Sequence, residues 1–196
     1  MQSPRLSKDD VAEAALDILD RLGLPDLTMR RLAAALDVQA SALYWHFPNK
    51  QTLLADLADR IVRRRAPATT SGDWDERLSA EAFGIRDALL AYRDSAEIVS
   101  SSLALGLGDN PALTRLRDAL DTSGFDPDTS RRAAATLLHF VVGHVSLEQQ
   151  RRQYDNLGVL PGPAADLHPE VAEGDFRFGV DVLIAGLRQR GGAPRP

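Results

Sequence analysis

Apolar residues recur at helical spacing from the start of the chain. Val11, Ala14, Ala15, Ile18, Leu19 and Leu22 mark one face of a helix over 7–23. Ser7 with Asp10 predicts a capping pair, and Gly23 stands where a left-handed residue ends a helix. Thr28 is placed to cap a shorter helix with Leu32, Ala33 and Leu36 on its apolar face, broken at Asp37-Val38. A third short helix runs from Ala40 to His46. It ends at Phe47-Pro48-Asn49, because proline disfavours helix in the residue before it. Asn49 caps a fourth, lined by Leu53, Leu54, Leu57, Ile61 and Val62.

Two short helices joined by a tight turn and braced by longer ones form a helix-turn-helix arrangement. The third helix lies in the stretch SALYWHFPNK, residues 41–50, within a chain that is only 6% aromatic. So short a helix cannot bury every ring. Leu43 and Trp45 are expected to point inward, with Phe47 closing the end. Tyr44 and His46 then face outward, with Ala40 and Ser41 near the start. Small residues there let the backbone approach base edges in a DNA major groove, while Tyr44, His46 and Lys50 can reach phosphates. The plainer alternative is a compact three-helix packing domain with an exposed tyrosine.

The remaining pattern predicts helices over 73–92, 94–100, 109–122, 128–153 and 175–190. The stretch RRRAPATTSGDW, residues 63–74, is a basic helix end followed by a Pro/Ser/Gly/Thr run. It divides the chain into a DNA-binding domain over 1–66, which includes a connecting helix over 49–65, and a second domain over 73–190. The helix over 128–153 carries Ala133, Ala134, Leu137, Leu138, Val141, Val142, Val145 and Leu147, so burial on more than one side is expected. The last helix has a stripe of Phe176, Val180, Leu183, Ile184 and Leu187. Both would leave apolar surface exposed in a monomer, which predicts a homodimer built on a four-helix bundle. The alternative is that both helices complete one subunit's core. Residues 154–175, rich in Pro and Gly, are expected to form a long loop.

Composition narrows the function. A chain of 196 residues, 44% hydrophobic and 26% charged, can bury a real core. The absence of cysteine excludes disulfides and thiolate metal sites. No signal peptide or membrane span is evident, so a cytoplasmic location is expected. Net charge is −5, yet residues 27–65 carry seven basic against three acidic side chains. The basic excess therefore sits on the helix-turn-helix segment. No Gly-rich phosphate loop, G-x-S-x-G or cysteine nucleophile suggests an enzyme. His139 and His144, five residues apart, point about 140° away from each other on a helix of ~3.6 residues per turn and make a poor chelating pair. His139 is expected to be partly buried and hydrogen-bonded, and His144 to line a pocket or a dimer seam. No cofactor and no metal are expected.

The run from ALDILDRLGL through LYWHFPNKQTLL resembles the N-terminal domain of TetR-family transcriptional regulators, and the tetracycline-repressor branch in particular. RDALLAYRDSAE, DTSGFDPDTSRRAAATLLHFVVGHV and EGDFRFGVDVLIAGL are similar to that branch's C-terminal domain. Asp37 stands where the family usually has glycine, and Asp tolerates a left-handed backbone. The resemblance implies an all-α fold: a three-helix helix-turn-helix domain followed by a helical ligand-binding and dimerisation domain. It implies that Thr28 and Arg30 contact the DNA backbone or an edge base, with Arg30 the best candidate for a bidentate guanine contact. Gln39, Ala40 and Ser41 would lie over bases, and Tyr44, His46 and Lys50 would hold phosphates. Met29 and Ala42 replace hydroxyl side chains, so a different operator is expected. An effector pocket would be lined by Glu81, Ile85, Val99, Ser102, Leu116, Ala134, Leu138 and Leu147. Val99, Leu147, Leu116 and Glu81 replace the branch's histidine, glutamate, glutamine and asparagine. A hard cation needs oxygen ligands, so the expected effector is a small apolar compound without metal, not magnesium-tetracycline. The function implied is a ligand-responsive repressor that binds palindromic double-stranded DNA as a homodimer. The alternative is a regulator without a small-molecule effector, controlled by a protein partner or acting as an activator.

Overall fold

The computed structural model describes residues 6–68, 72–159 and 169–191. Among these are nine α-helices and no strand. Helix α1 (Lys8–Leu22) opens on the expected reciprocal cap: the Asp10 N–H donates to Ser7 Oγ at 3.1 Å, and the Ser7 N–H donates to the Asp10 carboxylate at 2.9 Å. It closes at Gly23, whose φ of 86° excludes most side chains. Helix α2 (Met29–Ala35) starts at Thr28, whose hydroxyl accepts the Arg31 N–H. Asp37 turns the chain at φ 53°, the left-handed backbone expected of it. Helix α3 (Ala40–Tyr44) is two residues shorter than its pattern suggests, and Asn49 then caps α4 (Lys50–Arg64).

Helix α4 is buried on two sides. Leu53, Leu54, Leu57, Ala58, Ile61 and Val62 all lie in the core, with α1 against one side and α6 against another. Arg64 reaches back to Glu13 of α1 and also to the Tyr92 hydroxyl. On the other side, the buried Asp59 carboxylate accepts the backbone N–H groups of Asp109 and Asn110 at 2.7 and 3.1 Å. Burial raises the pKa of Asp59, and those two donors and Arg63 only partly offset it.

The rest is α5 (Trp74–Leu90), α6 (Ser95–Leu105), α7 (Pro111–Ala119), α8 (Pro127–Asn156) and α9 (Pro169–Gly191). Helix α6 runs five residues past its expected end and stops at Gly106, φ 64°. Helices α8 and α9 take up both ends of the expected loop over 154–175, and its centre, 160–168, lies outside the described residues. Two buried polar groups fix α8 to α5 and α6. Glu148 pairs with Arg86 at 2.9 Å, and the Gln149 amide donates to the carbonyls of Leu89 and Tyr92 and to Ser95 Oγ at the start of α6. Phe176, Val180 and Ile184 of α9 are buried, with the Phe176 ring stacked on Phe140. A Cβ at Gly179 would lie 2.1 Å from Phe140, so only glycine admits that ring.

Candidate nucleic-acid interface

The α2–α3 segment is anchored from below and open above. Leu43 and Phe47 are buried one helical turn apart, as expected. Thr28, Arg30, Gln39, Ala40, Ser41 and Tyr44 are exposed, and His46 and Lys50 are half-buried. Trp45 corrects the expectation that it points inward: it is 89% exposed. Two anchors four residues apart already fill the space under α3, and the residue midway between them falls on the opposite side. Sequence reasoning therefore missed an exposed indole, although the i, i+4 spacing of Leu43 and Phe47 carried the signal.

The charges on this face are unevenly committed. Arg31 pairs with Asp26 at 2.5 Å, whereas Arg30 and Lys50 make no ion pair among the described residues. Lys50 occupies the first turn of α4, where the helix dipole disfavours a cation unless an anion lies nearby. A phosphate at that helix start would satisfy the ammonium, the dipole and the unpaired N–H groups together. Tyr44 and Trp45 add one hydroxyl and one indole N–H donor to the same face.

The residues expected to line an effector pocket divide. Ile85, Val99, Leu116, Ala134 and Leu138 are buried core. Ser102 is buried and its hydroxyl donates to the Ile98 carbonyl. Glu81 is buried as well, and its carboxylate accepts the Ala68 N–H at 2.7 Å, so it serves the segment that follows α4. The structure does not bring Leu147 to the others. It is 60% exposed, because Val145, Glu148 and Gln149 are the residues of that turn which face inward. The gap enclosed by Val99, Ser102, Leu138 and their neighbours is about 10 Å³, room for one water. Larger hollows lie elsewhere. One of about 400 Å³ opens between α8 and α9, walled by Leu78, Leu137, Leu183 and Leu187. Among the described residues no group of three or more His, Asp or Glu could hold a metal ion. His139 is exposed rather than partly buried, while His144 packs on Phe176 with Nε2 3.1 Å from the Ala172 carbonyl. No helix among the described residues is long and apolar enough to cross a membrane.

Residues 11–57 match the family described as bacterial regulatory proteins, tetR family, and residues 66–170 match the tetracyclin repressor-like C-terminal domain. The chain is 35% identical to the class G tetracycline repressor protein of Vibrio anguillarum over 203 aligned positions, covering 94% of this chain and 95% of that one. Among solved structures it is similar to BioQ of Mycobacterium smegmatis, with a TM-score of 0.82 and 40% identity over 93% of this chain and 97% of that one. It is also similar to BioQ bound to its natural double-stranded DNA operator, at TM-score 0.77 and 38% identity over 93% and 98% of the two chains.

Proposed function

Because the chain belongs to the tetR family of bacterial regulatory proteins, and is thus a DNA-binding transcriptional regulator and not an enzyme, we propose that it is a repressor. It grips a palindromic operator as a homodimer in the cytoplasm. The observation that carries this reading is the exposed row of Thr28, Arg30, Gln39, Ala40, Ser41, Tyr44 and Trp45 above two buried anchors. Residues 1–66 form the DNA-binding part, with α4 as the connecting helix, and 73–190 the regulatory and dimerising part. Arg30 reads a guanine edge. Gln39, Ala40 and Ser41 lie over bases, and Thr28, Tyr44, His46 and Lys50 hold phosphates.

Dimerisation is supported by α9, which is apolar on two sides. Phe176, Val180 and Ile184 are buried, yet Phe178 is 72% exposed and lies in line with the exposed Val171 and Val182. A second copy covering that stripe and the hollow beside it would bury the patch. Two recognition helices would then sit about 34–36 Å apart, one DNA turn.

The test uses a palindromic duplex selected from a random pool and a half-site of the same length. The palindrome is expected to bind more tightly, with affinity falling steeply as salt rises. Lys50→Ala is expected to weaken selected and unrelated duplexes alike and to reduce the salt slope by about 0.9, one phosphate contact. A salt-independent affinity, or a half-site bound as well as the palindrome, removes the reading.

Release by a small, mostly apolar effector requires the interior to open. Ligand sites usually measure about 300–1,000 Å³, far above the water-sized gap at Val99, Ser102 and Leu138. That filled interior favours the second reading, a regulator governed by a protein partner or acting as an activator. A thermal-shift screen of apolar compounds without metal separates them. The effector reading expects a compound that both raises Tm and releases DNA. A screen in which no compound does both supports the second reading.

A further inference from the structure

The N-terminal turn of α1 holds a charge arrangement that the DNA-facing row does not use. Lys8 Nζ lies 2.6 Å from Asp56 Oδ1 of α4 and 5.1 Å from the centre of the Phe47 ring. Asp56 also accepts from Arg60 Nε at 2.5 Å, and Arg60 Nη2 returns to Asp9 of α1 at 2.6 Å. Charges thus alternate along the series Lys8, Asp56, Arg60 and Asp9 that ties α1 to α4. Phe47 lies at its Lys8 end, two residues after the exposed Trp45. Burial opposes ionisation of Asp56, but the bonds from Lys8 and Arg60 prevail and hold its carboxyl below the ordinary range.

We propose that Lys8 is a positioning residue for DNA recognition: clamped to Asp56, its ammonium holds the Phe47 ring and so fixes the angle of Tyr44, Trp45 and His46 toward the duplex. The proposal rests on the reading that α3 faces DNA. Lys8 itself is about half exposed, so its own share of stability is small. The expected role is therefore in aim: recognition needs its side chains held to about 0.5 Å, and α3, with five residues, has no length of its own to define a direction.

The experiment compares wild type, Lys8→Met, Lys8→Arg and Asp56→Asn on a duplex selected from a random pool by the wild-type protein and on a scrambled duplex of equal length. Lys8→Met and Asp56→Asn are expected to bind the selected duplex about tenfold more weakly, the scale of one lost base contact. Affinity for the scrambled duplex and the salt slope should stay as in wild type in both. Tm should stay as in wild type in Lys8→Met and fall in Asp56→Asn, which also weakens the Arg60 bond, and Lys8→Arg should restore the selected affinity. Unchanged selected affinity in Lys8→Met overturns the proposal alone. So does a weakening on both duplexes with a slope shallower by about 0.9, which would make Lys8 a phosphate contact. Should Lys8→Met lose its fold, Asp56→Asn decides by the same outcomes. A wild-type protein that cannot tell the two duplexes apart overturns the DNA-facing assignment of α3 and the proposal with it.

Discussion

Glu148→Ala is expected to lower the free energy of unfolding by about 3–5 kcal/mol, the cost of orphaning a buried charge. Arg86 and Glu148 are only 6% and 8% exposed, and their side chains meet at 2.9 Å. The second Glu148 oxygen is held by Arg152 at 2.5 Å, so the carboxylate is fully committed. Arg86 is less well served: its Nε has no hydrogen-bond partner among the described residues, and its guanidinium lies 5.3 Å from the centre of the Phe176 ring. Removing the carboxylate leaves that guanidinium inside the protein with, among the described residues, only the Asp87 carboxylate at 3.8 Å for a counter-charge. A double replacement, Arg86→Met with Glu148→Leu, should recover most of the loss, since apolar pairs often match buried ion pairs in stability. Urea unfolding at one fixed protein concentration measures both, because self-association would otherwise shift the midpoint. A single-variant cost below about 1 kcal/mol would mean that water reaches the pair and that the burial is not kept in solution.

Phe47→Ala is expected to cost about 3–5 kcal/mol and to abolish discrimination between operator and unrelated DNA. The ring is 2% exposed and closes the floor beneath α3 with Leu43. Emptying it leaves a void under a helix of five residues that has no side-chain cap at its start. Phe47→Leu conserves most of the volume and should cost less than about 1.5 kcal/mol. Trp45 and Trp74 are the chain's two tryptophans, and Trp45 already faces solvent. Circular dichroism melts are therefore a better readout than fluorescence, paired with binding to selected and scrambled duplexes. Full discrimination by a folded Phe47→Ala protein would show that the recognition segment is oriented by something other than its aromatic anchor.

The helical ends were legible because they depend on near neighbours. Ser7 with Asp10, Thr28 with Arg31 and Asn49 with Thr52 each act within three residues, and the left-handed turn at Asp37 needs only a residue that accepts it. Trp45 reads as core only by its apolar character: two residues after the buried Leu43 and two before the buried Phe47, it falls on the far side of a turn that the Phe47 N–H closes on the Leu43 carbonyl. Leu147 was misplaced by its apolar character, while its neighbours Glu148 and Gln149 are the buried ones. Their partners, Arg86, Leu89 and Tyr92, lie more than fifty positions away along the chain, so no local pattern announces them. The interior assignments suffered likewise. Ile85, Val99 and Leu138 read equally well as walls of a cavity or as its filling, and only the packed side chains tell which.

Helix α4 meets α1 along one side and α6 along another, with Asp59 gripping two backbone amides across the second boundary. One residue inserted midway along it would turn everything beyond by about 100° and advance it ~1.5 Å. The far half would then present the wrong side chains to every neighbour at once. Descendants of this sequence are thus free to exchange letters along that rod but not to change how many it holds.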